Sequence, residues 1–151
     1  AGRWHLIADA RTWPLVGSQL IDQLRAKQRP YTCHIFQEDH LRPEIKTAER
    51  LSEQLESSSA AVAIGAGTIN DLVKMASYQA GIPYACIPTA PSMNGYTSAI
   101  SALLEEGVKT TRPCAPPIGI LADIDLLTAA PSRMIVARFG DLISKHVSQA
   151  D

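Results

Sequence analysis

Two glycines between an apolar run and a helical pattern are the residues of this chain best suited to chemistry. The apolar run covers residues 60–64, Gly65 and Gly67 follow it, and apolar side chains recur at helical spacing from Ile69. A strand, a glycine turn and a helix in this order direct unpaired backbone N–H groups, and the positive end of the helix dipole, toward the turn. The pattern favours a phosphate-binding turn. Two glycines can also serve only a tight turn, and the stretch is neither a Gly-x-Gly-x-x-Gly dinucleotide motif nor a P-loop.

The helix after the glycines carries a start signal of its own. Thr68 and Asp71 stand three residues apart, which is the spacing of a capping box. In a capping box the two side chains bond backbone N–H groups at the first turn of the helix. The spacing therefore offers a structural explanation of Asp71 that needs no ligand.

A polar loop follows the next predicted strand. Residues 89–98 read Thr-Ala-Pro-Ser-Met-Asn-Gly-Tyr-Thr-Ser. Because ligands on parallel sheets bind outside the carboxyl ends of the strands, we expect this loop to lie beside Gly65 at one edge of the sheet. Its hydroxyls and backbone N–H groups could contact a ligand there. An ordinary surface loop would have the same composition.

One helical carboxylate, Asp141, is a candidate metal ligand. It follows Gly140 in the last predicted helix and shares a helix face with Lys145. A lone helical carboxylate is usually solvated or paired with a cation, and a metal site would need two or three further ligands. The four histidines do not cluster with it in the sequence; they are His5, His34, His40 and His146.

The elements that must position these residues alternate between strands and helices. Apolar runs predict strands at residues 4–8, 31–36, 60–64 and 84–87, and helices are expected after Thr12 as an N-cap, from Pro43 to Leu55 and from Ile69 to Ala80. Apolar strands that alternate with helices predict a Rossmann-like α/β fold, in which a parallel sheet is covered by helices on both faces.

The remainder of the chain predicts smaller elements. Residues 101–104 and 108–111 could pair as a β-hairpin, residues 118–122 read as a further strand, residues 125–129 as a short helical turn, and Pro131 opens a last helix.

The composition is that of a globular protein and excludes some partners. The chain has 151 residues, 46% of them hydrophobic and 19% charged, with a formal net charge of −1. This charge argues against nucleic acid or an anionic membrane surface as a partner. The apolar runs are far shorter than the roughly 18 residues of a spanning helix. Three widely spaced cysteines predict buried, reduced thiols in a cytoplasmic protein, and the absence of an initial Met predicts a fragment of a longer chain.

Four segments in order resemble the iron-containing alcohol dehydrogenase and glycerol dehydrogenase superfamily. Residues 65–74 resemble its Gly-Gly-Gly-x-x-x-Asp-x-x-Lys element. Residues 87–98 are similar to the Pro-Thr-Ala-x-Ser-x-Asp-Gly-x-x-Ser segment of its sn-glycerol-1-phosphate dehydrogenase branch, and residues 117–123 and 140–145 continue the match.

The resemblance implies an NAD(P)- and metal-dependent dehydrogenase that interconverts dihydroxyacetone phosphate and sn-glycerol 1-phosphate. It places residues 1–130 in an NAD(P)-binding domain and residues 131–151 at the start of an α-helical, metal-binding domain whose remainder would follow Asp151. Asp141 would be a ligand of Zn²⁺, and the parent enzyme is expected to be a homo-oligomer. The residues implied to contact NAD or NADP are Gly65, Ala66, Gly67, Thr68 and Ile69 at the pyrophosphate, and Thr89, Ala90, Pro91, Ser92 and Ser98 toward the nicotinamide.

Two departures from the family pattern leave alternatives open. Ala66 replaces the middle glycine, and Asn94 stands where the branch has an Asp beside the substrate. Asn can accept a hydrogen bond but cannot take a proton at neutral pH. A glycerol or other polyol dehydrogenase of the same superfamily, a dehydroquinate-synthase-like cyclase and a non-catalytic nucleotide-binding module are the alternatives. Asp9, at the end of the first strand, could select NAD by bonding the ribose hydroxyls, or it could simply form a turn.

Overall fold

The computed structural model describes residues 2–148, and at positions 141, 142 and 144–148 it describes the backbone alone. The chain alternates strands and helices as the apolar pattern predicts. Five strands form a parallel sheet in the order β2-β1-β3-β4-β7. Two more form an antiparallel hairpin, β5–β6. The strands are β1 (Trp4–Asp9), β2 (Tyr31–Phe36), β3 (Ala60–Gly65), β4 (Tyr84–Pro88), β5 (Ile100–Glu105), β6 (Val108–Pro113) and β7 (Gly119–Ile120), and the helices are α1 (Trp13–Ala26), α2 (Ile45–Ser52), α3 (Gly67–Ala80), α4 (Ile124–Thr128) and α5 (Ser132–Ser148).

Both faces of the sheet are covered by helices because its strands are apolar on both sides. Successive strand residues point to opposite faces. Leu6 and Val62 pack with α1 on one face, whereas Ile7 and Ala63 pack with α2 and α3 on the other. The predicted Rossmann-like α/β architecture is confirmed.

The order of the strands creates a crevice between β1 and β3. The chain leaves β1 through α1 to reach β2 on one side, then returns through α2 to β3 on the other side. Helices that leave two neighbouring strands on opposite faces of a parallel sheet mark the switch point where such folds bind ligands. β1 ends at Asp9 and β3 ends at Gly65, and the two strands pair in parallel up to Ala8 and Ile64. Asp9 and Gly65 therefore border the switch point.

The predicted hairpin is present and lies outside the main sheet. Residues 100–105 pair with residues 108–113 across a turn at Glu106 and Gly107, both of which have positive φ. β5 packs against α3, and Leu103 is wholly buried there. The hairpin therefore covers the outer side of α3 instead of extending the sheet.

Three local predictions need correction. The expected strand at residues 118–122 pairs only at Gly119 and Ile120, because the residues around them are exposed and only two register positions meet β4. The helix expected from Pro43 to Leu55 covers Ile45–Ser52, although Leu55 is still buried. Cys33 is exposed on the edge strand β2, whereas Cys86 is buried as expected.

Within residues 2–148, no helix is both long and apolar enough to cross a membrane.

Candidate nucleotide-binding site

The glycine turn joins the central strand β3 directly to α3. Gly65 ends β3, Ala66 is extended with φ −90° and ψ −157°, and α3 starts at Gly67. The backbone N–H of Asn70 donates to the carbonyl of Ala66 at 3.0 Å, which is the first bond of the helix. The N–H groups of residues 67–69 precede that bond, no side chain caps them, and the first turn holds no acidic residue. This helix end is positive and has donors free for an anion.

Close packing requires Gly65 and leaves little room for a side chain at Gly67. A Cβ on Gly65 would lie 2.7 Å from the Cβ of Ile69 and 2.8 Å from its Cγ1. A Cβ on Gly67 would lie 3.0 Å from the sulfur of Met93, a flexible side chain of the loop after β4. Gly65 thus sets how closely α3 approaches β3, while Gly67 brings the helix start against the polar loop.

The capping box expected at Thr68 and Asp71 is absent. The N-cap is Ala66, so Thr68 already lies in the first turn of α3, two positions after the residue that could cap it. The side chain of Asp71 instead lies half-buried near the hairpin, where the Ala102 backbone N–H bonds its carboxylate. Burial raises the pKa of Asp71 to about 6, although the charges of Lys74 and Lys109 act in the opposite direction.

The polar loop lies beside the glycine turn at the same sheet edge. Gly65 pairs with Pro88, and the N–H of Thr89 donates to the carbonyl of Gly65 at 3.3 Å. The loop then passes from buried Thr89 and Ala90 through half-buried Pro91, Ser92 and Met93 to exposed Asn94. The sequence-predicted residues of the two segments are therefore neighbours in space, but their contacts with a cofactor stay predictions.

A short 3₁₀ turn at Gly95–Thr97 closes the loop. The hydroxyl of Tyr96 donates to the carbonyl of Ala90 at 2.8 Å. Burial raises the pKa of Tyr96 to about 12, so the hydroxyl keeps its proton and this bond at neutral pH. The bond ties the two ends of the loop together around residues 91–94.

Lys74 is the main site-building residue that the sequence did not single out. Its side chain is wholly buried, and its ammonium donates to the carbonyl of Gly95 at 2.7 Å, to the hydroxyl of Ser98 at 3.2 Å and to the carbonyl of Ile100 at 3.0 Å. The sequence shows Lys74 only as the last residue of the family element that begins at Gly65, and a lysine in a helix is usually solvated.

Asp9 has a structural partner set at the other border of the crevice. Its Oδ1 accepts from the N–H of Arg11 at 2.9 Å and from the N–H of Thr12 at 2.8 Å, which forms the turn before α1. Thr12 is the N-cap residue of α1, as expected, but its hydroxyl donates to the carbonyl of Ile64 at 2.9 Å and thereby links α1 to β3. These bonds favour the turn-forming role of Asp9.

The end of β2 lies at the same edge of the sheet, and the sequence did not indicate it as part of a site. Phe36 pairs with Asp9, and a cavity of about 580 Å³ lies between this strand end and α2. Its lining includes Gln37, Glu38 and Arg50. The available signal was the position of Gln37 and Glu38 directly after a strand.

The predicted metal ligand cannot be placed from its side chain. The backbone of Asp141 lies in α5, but its side chain is outside the described residues. Within the described part of the chain, no three or more His, Cys, Asp or Glu side chains group together as a metal site. The zinc ligand Asp141 and the domain division at residue 130 stay predictions.

Comparison with known proteins shows which sequence family the chain matches. Residues 1–131 match the family model described as iron-containing alcohol dehydrogenase. The chain is 38% identical over 150 residues to the glycerol-1-phosphate dehydrogenase [NAD(P)+] of Geobacillus thermodenitrificans. The aligned residues cover 97% of this chain and 37% of the relative. The chain thus spans a little over a third of the length of the relative it matches.

Solved structures confirm the fold. Glycerol dehydrogenase from Schizosaccharomyces pombe superimposes with a TM-score of 0.79 at 21% identity, covering 97% of this chain and 37% of that one. A 2-deoxy-scyllo-inosose synthase complexed with carbaglucose-6-phosphate, NAD+ and Co2+ gives a TM-score of 0.79 at 20% identity, covering 93% of this chain and 42% of that one. With the family model matching most of its length, the chain belongs to the iron-containing alcohol dehydrogenase family.

Proposed function

We propose that this chain is the nucleotide-binding part of an NAD(P)-dependent dehydrogenase that interconverts dihydroxyacetone phosphate and sn-glycerol 1-phosphate. The observation that carries the proposal is the start of α3, where uncapped N–H groups at the end of a central strand meet the polar loop after β4. The relative from Geobacillus thermodenitrificans, whose name gives both NAD(P)+ and this substrate, supports the reaction class.

The residues present fit a dinucleotide. The N–H groups of Gly67, Thr68 and Ile69 would bond the pyrophosphate oxygens, with the helix dipole adding to the attraction. Gly65 allows α3 to approach the strand closely, and the backbone at Gly67 carries no side chain that would shield these donors. When bound, the nicotinamide supplies the chemistry by accepting or delivering a hydride.

The loop after β4 would hold the nicotinamide half of the cofactor. Thr89 lies against Gly65, and the half-buried residues Pro91 and Ser92 follow it toward solvent. Asn94 is exposed at the outer end of the loop and could accept or donate a hydrogen bond to a substrate hydroxyl. As a neutral amide it could orient the substrate without taking its proton.

The described residues do not make the implied zinc site by themselves. The expected ligand Asp141 would provide one carboxylate, and a zinc site takes three or four protein ligands. The further ligands would come from the part of a full-length relative that this chain does not span. We therefore expect the 151-residue chain to bind nucleotide without turning over glycerol phosphate.

The substitution Ala66→Asp tests the nucleotide site directly. An Asp at this N-cap position would bond the free N–H groups of α3 and place a negative charge where the pyrophosphate would lie. We expect the variant to unfold with a free energy about 1 kcal/mol higher than the parent chain while losing most of its affinity for NAD⁺. Isothermal titration with NAD⁺, NADP⁺ and ADP-ribose, beside urea unfolding, measures both effects.

Two outcomes decide the proposal. Unchanged NAD⁺ affinity in a stabilised Ala66→Asp variant would place the nucleotide elsewhere and contradict it. Ala66→Ser, which can cap the helix without a charge, is the matched control and should lose less affinity. Turnover is then measured on a fusion in which this chain replaces the matching part of a full-length relative. Asn94→Asp in this fusion tests the substrate-orienting role.

A further inference from the structure

Lys74 is a buried cation that the proposed chemistry does not use. It is the largest side chain in the described part of the protein that is fully buried. A charged ammonium away from water is costly unless hydrogen bonds replace its hydration. Its place in the middle of α3 therefore calls for partners that are strong enough to hold it.

All three donors of the ammonium reach one short segment. They bond the carbonyl of Gly95, the hydroxyl of Ser98 and the carbonyl of Ile100, at 2.7, 3.2 and 3.0 Å. Because an ammonium has three N–H donors, this set satisfies it completely. The hydroxyl of Ser98 also lies 2.9 Å from the carbonyl of Gly95 and 3.0 Å from that of Ile100, so the segment folds around the cation.

A second set of contacts attaches the same helix to the hairpin. The hydroxyl of Ser101 donates to the backbone carbonyl of Asp71 at 2.9 Å, and the carboxylate of Asp71 accepts from the N–H of Ala102. The charge of Asp71 favours the ammonium form of Lys74 and partly offsets the effect of burial. Lys109 of β6 also faces this carboxylate. Residues 95–102 are thereby bonded to one face of α3.

The position of Lys74 connects the two halves of the candidate site. Its helix begins at Gly67, where the pyrophosphate would bind, and its ammonium holds the end of the loop that starts at Thr89. Tyr96, within the held segment, carries the bond back to Ala90. The placement of the loop relative to the helix start thus depends on Lys74.

We propose that Lys74 is a positioning residue that fixes the nicotinamide-side loop against the phosphate-binding turn. This inference rests on the proposed nucleotide-binding function. Lys74 itself has no contact with the cofactor in this scheme, since its three donors are occupied within the protein. Its removal should leave the glycine turn intact and release the loop.

The test compares Lys74→Met with Lys46→Met, which removes an exposed lysine of α2 and serves as the matched control. Hydrogen exchange followed by mass spectrometry needs no nucleotide. We expect backbone amides of residues 95–100 to exchange about tenfold faster in Lys74→Met, because hydrogen bonds to a charged group are lost. Amides of β1 and β3 should stay as protected as in the control, which shows that the sheet is folded.

A nucleotide measurement separates positioning from general loss of structure. We expect Lys74→Met to reduce the affinity for NAD⁺ about tenfold more than the affinity for ADP-ribose, which lacks only the nicotinamide. Equal losses for the two ligands, or exchange of residues 95–100 equal to that of Lys46→Met, would overturn the inference. If the wild-type chain binds neither ligand, the proposed function fails, and with it the positioning role.

Ser98→Ala keeps the inference testable if Lys74→Met does not fold. It removes one acceptor of the ammonium and leaves the apolar core unchanged. We expect the same segment to exchange faster than in the wild-type chain, by a smaller factor than in Lys74→Met. Exchange at the wild-type rate in Ser98→Ala would overturn the inference.

Discussion

Asp71 and Lys74 lie one helical turn apart on α3, and burial affects each of them differently. Burial raises the pKa of Asp71 to about 6 and lowers the pKa of Lys74. Three hydrogen bonds within the protein offset the burial of the ammonium, whereas hydrogen bonds from Asn70 and Ala102 offset the burial of the carboxylate only in part. We expect the carboxylate to be the group of this pair that responds to pH in the accessible range.

Because of Asp71, the folded chain should be more stable in mild acid, where this carboxyl is protonated, than at neutral pH, where it is ionised. A carboxyl whose pKa rises from 3.8 to about 6 on folding binds more protons in the folded state between these values. Its contribution is therefore full below about pH 4 and is lost as the pH rises through about 6, by about 3 kcal/mol. Urea unfolding of wild type and Asp71→Asn from pH 4 to 8 measures the difference.

The exposed Asp22→Asn variant is the control for this measurement. Its unfolding free energy should follow the wild-type curve in parallel over the whole range. In contrast, the advantage of Asp71→Asn over wild type should grow as the pH rises. Parallel curves for Asp71→Asn as well would show that the carboxylate titrates at its ordinary pKa in the folded chain.

At the residue scale, the sequence indicated which residues form the glycine turn, but it did not indicate the contacts and burial of the side chains around that turn. It indicated Gly65 and Gly67 because a strand and a helix flank them, and the structure places both in that turn. It misassigned Thr68 and Asp71 because a capping box depends on where the helix starts, and α3 starts at Gly67, two residues before the expected Ile69. Burial of Lys74 depends on the hairpin, which no local pattern connects to α3.

Among the elements, α3 and β3 are in close contact at Gly65. The substitution Gly65→Ala would place a methyl group 2.7 Å from the Cβ of Ile69, so the first turn of α3 must move. We expect a loss of about 2 kcal/mol in the free energy of unfolding, which is typical of an overpacked site, together with weaker NAD⁺ binding. Urea unfolding and nucleotide titration of the same sample check both.

The matched control for this change is Gly140→Ala. Gly140 lies in α5, and a Cβ there meets none of the described atoms within 4 Å. Since alanine favours a helix by about 1 kcal/mol over glycine, this variant should be neutral or stabilised. Destabilisation by Gly140→Ala of the same size as by Gly65→Ala would mean that close packing at Gly65 is not the cause.

The elements that local sequence patterns determine were predicted well. The elements whose length or position depends on pairing with distant segments of the chain were not. Alternating apolar runs indicated β1 to β4, and two short runs across Glu105-Glu106-Gly107 indicated the hairpin. The strand expected at residues 118–122 is limited to Gly119–Ile120, because only these two residues pair with β4. The order of the strands also follows from packing and could not be derived from any one segment.

At the scale of the whole molecule, the C-terminal part of the chain exposes apolar side chains. Most of the large exposed hydrophobic residues lie after residue 117, in or beside β7, α4 and α5: Ile118, Ile120, Leu121, Ile124, Ile135, Val136, Phe139 and Ile143. Concentrated apolar surface promotes association. This surface is compatible with the predicted helical continuation of the chain, which stays a prediction.

The exposed surface should make the 151-residue chain self-associate. Sedimentation velocity over a range of concentrations should show growth in the mean mass. The double substitution Ile135→Ser and Phe139→Ser should suppress that growth, because it removes two apolar side chains one turn apart on α5. Leu15→Ser, at an exposed apolar site on α1, should not. Equal suppression by both variants would exclude α5 as the associating surface.

The parallel sheet also determines the order in which the chain can fold. Each ladder of the described sheet joins strands separated by a long connection, so that Trp4, for example, pairs with both Tyr31 and Ala60. Only the hairpin forms by a short-range contact. Pairing of distant segments loses loop-closure entropy before the contacts that offset this loss have formed, and folding is slower as a result. During synthesis β3 can pair with β1, which is already made, but its other edge stays open to other chains until β4 follows.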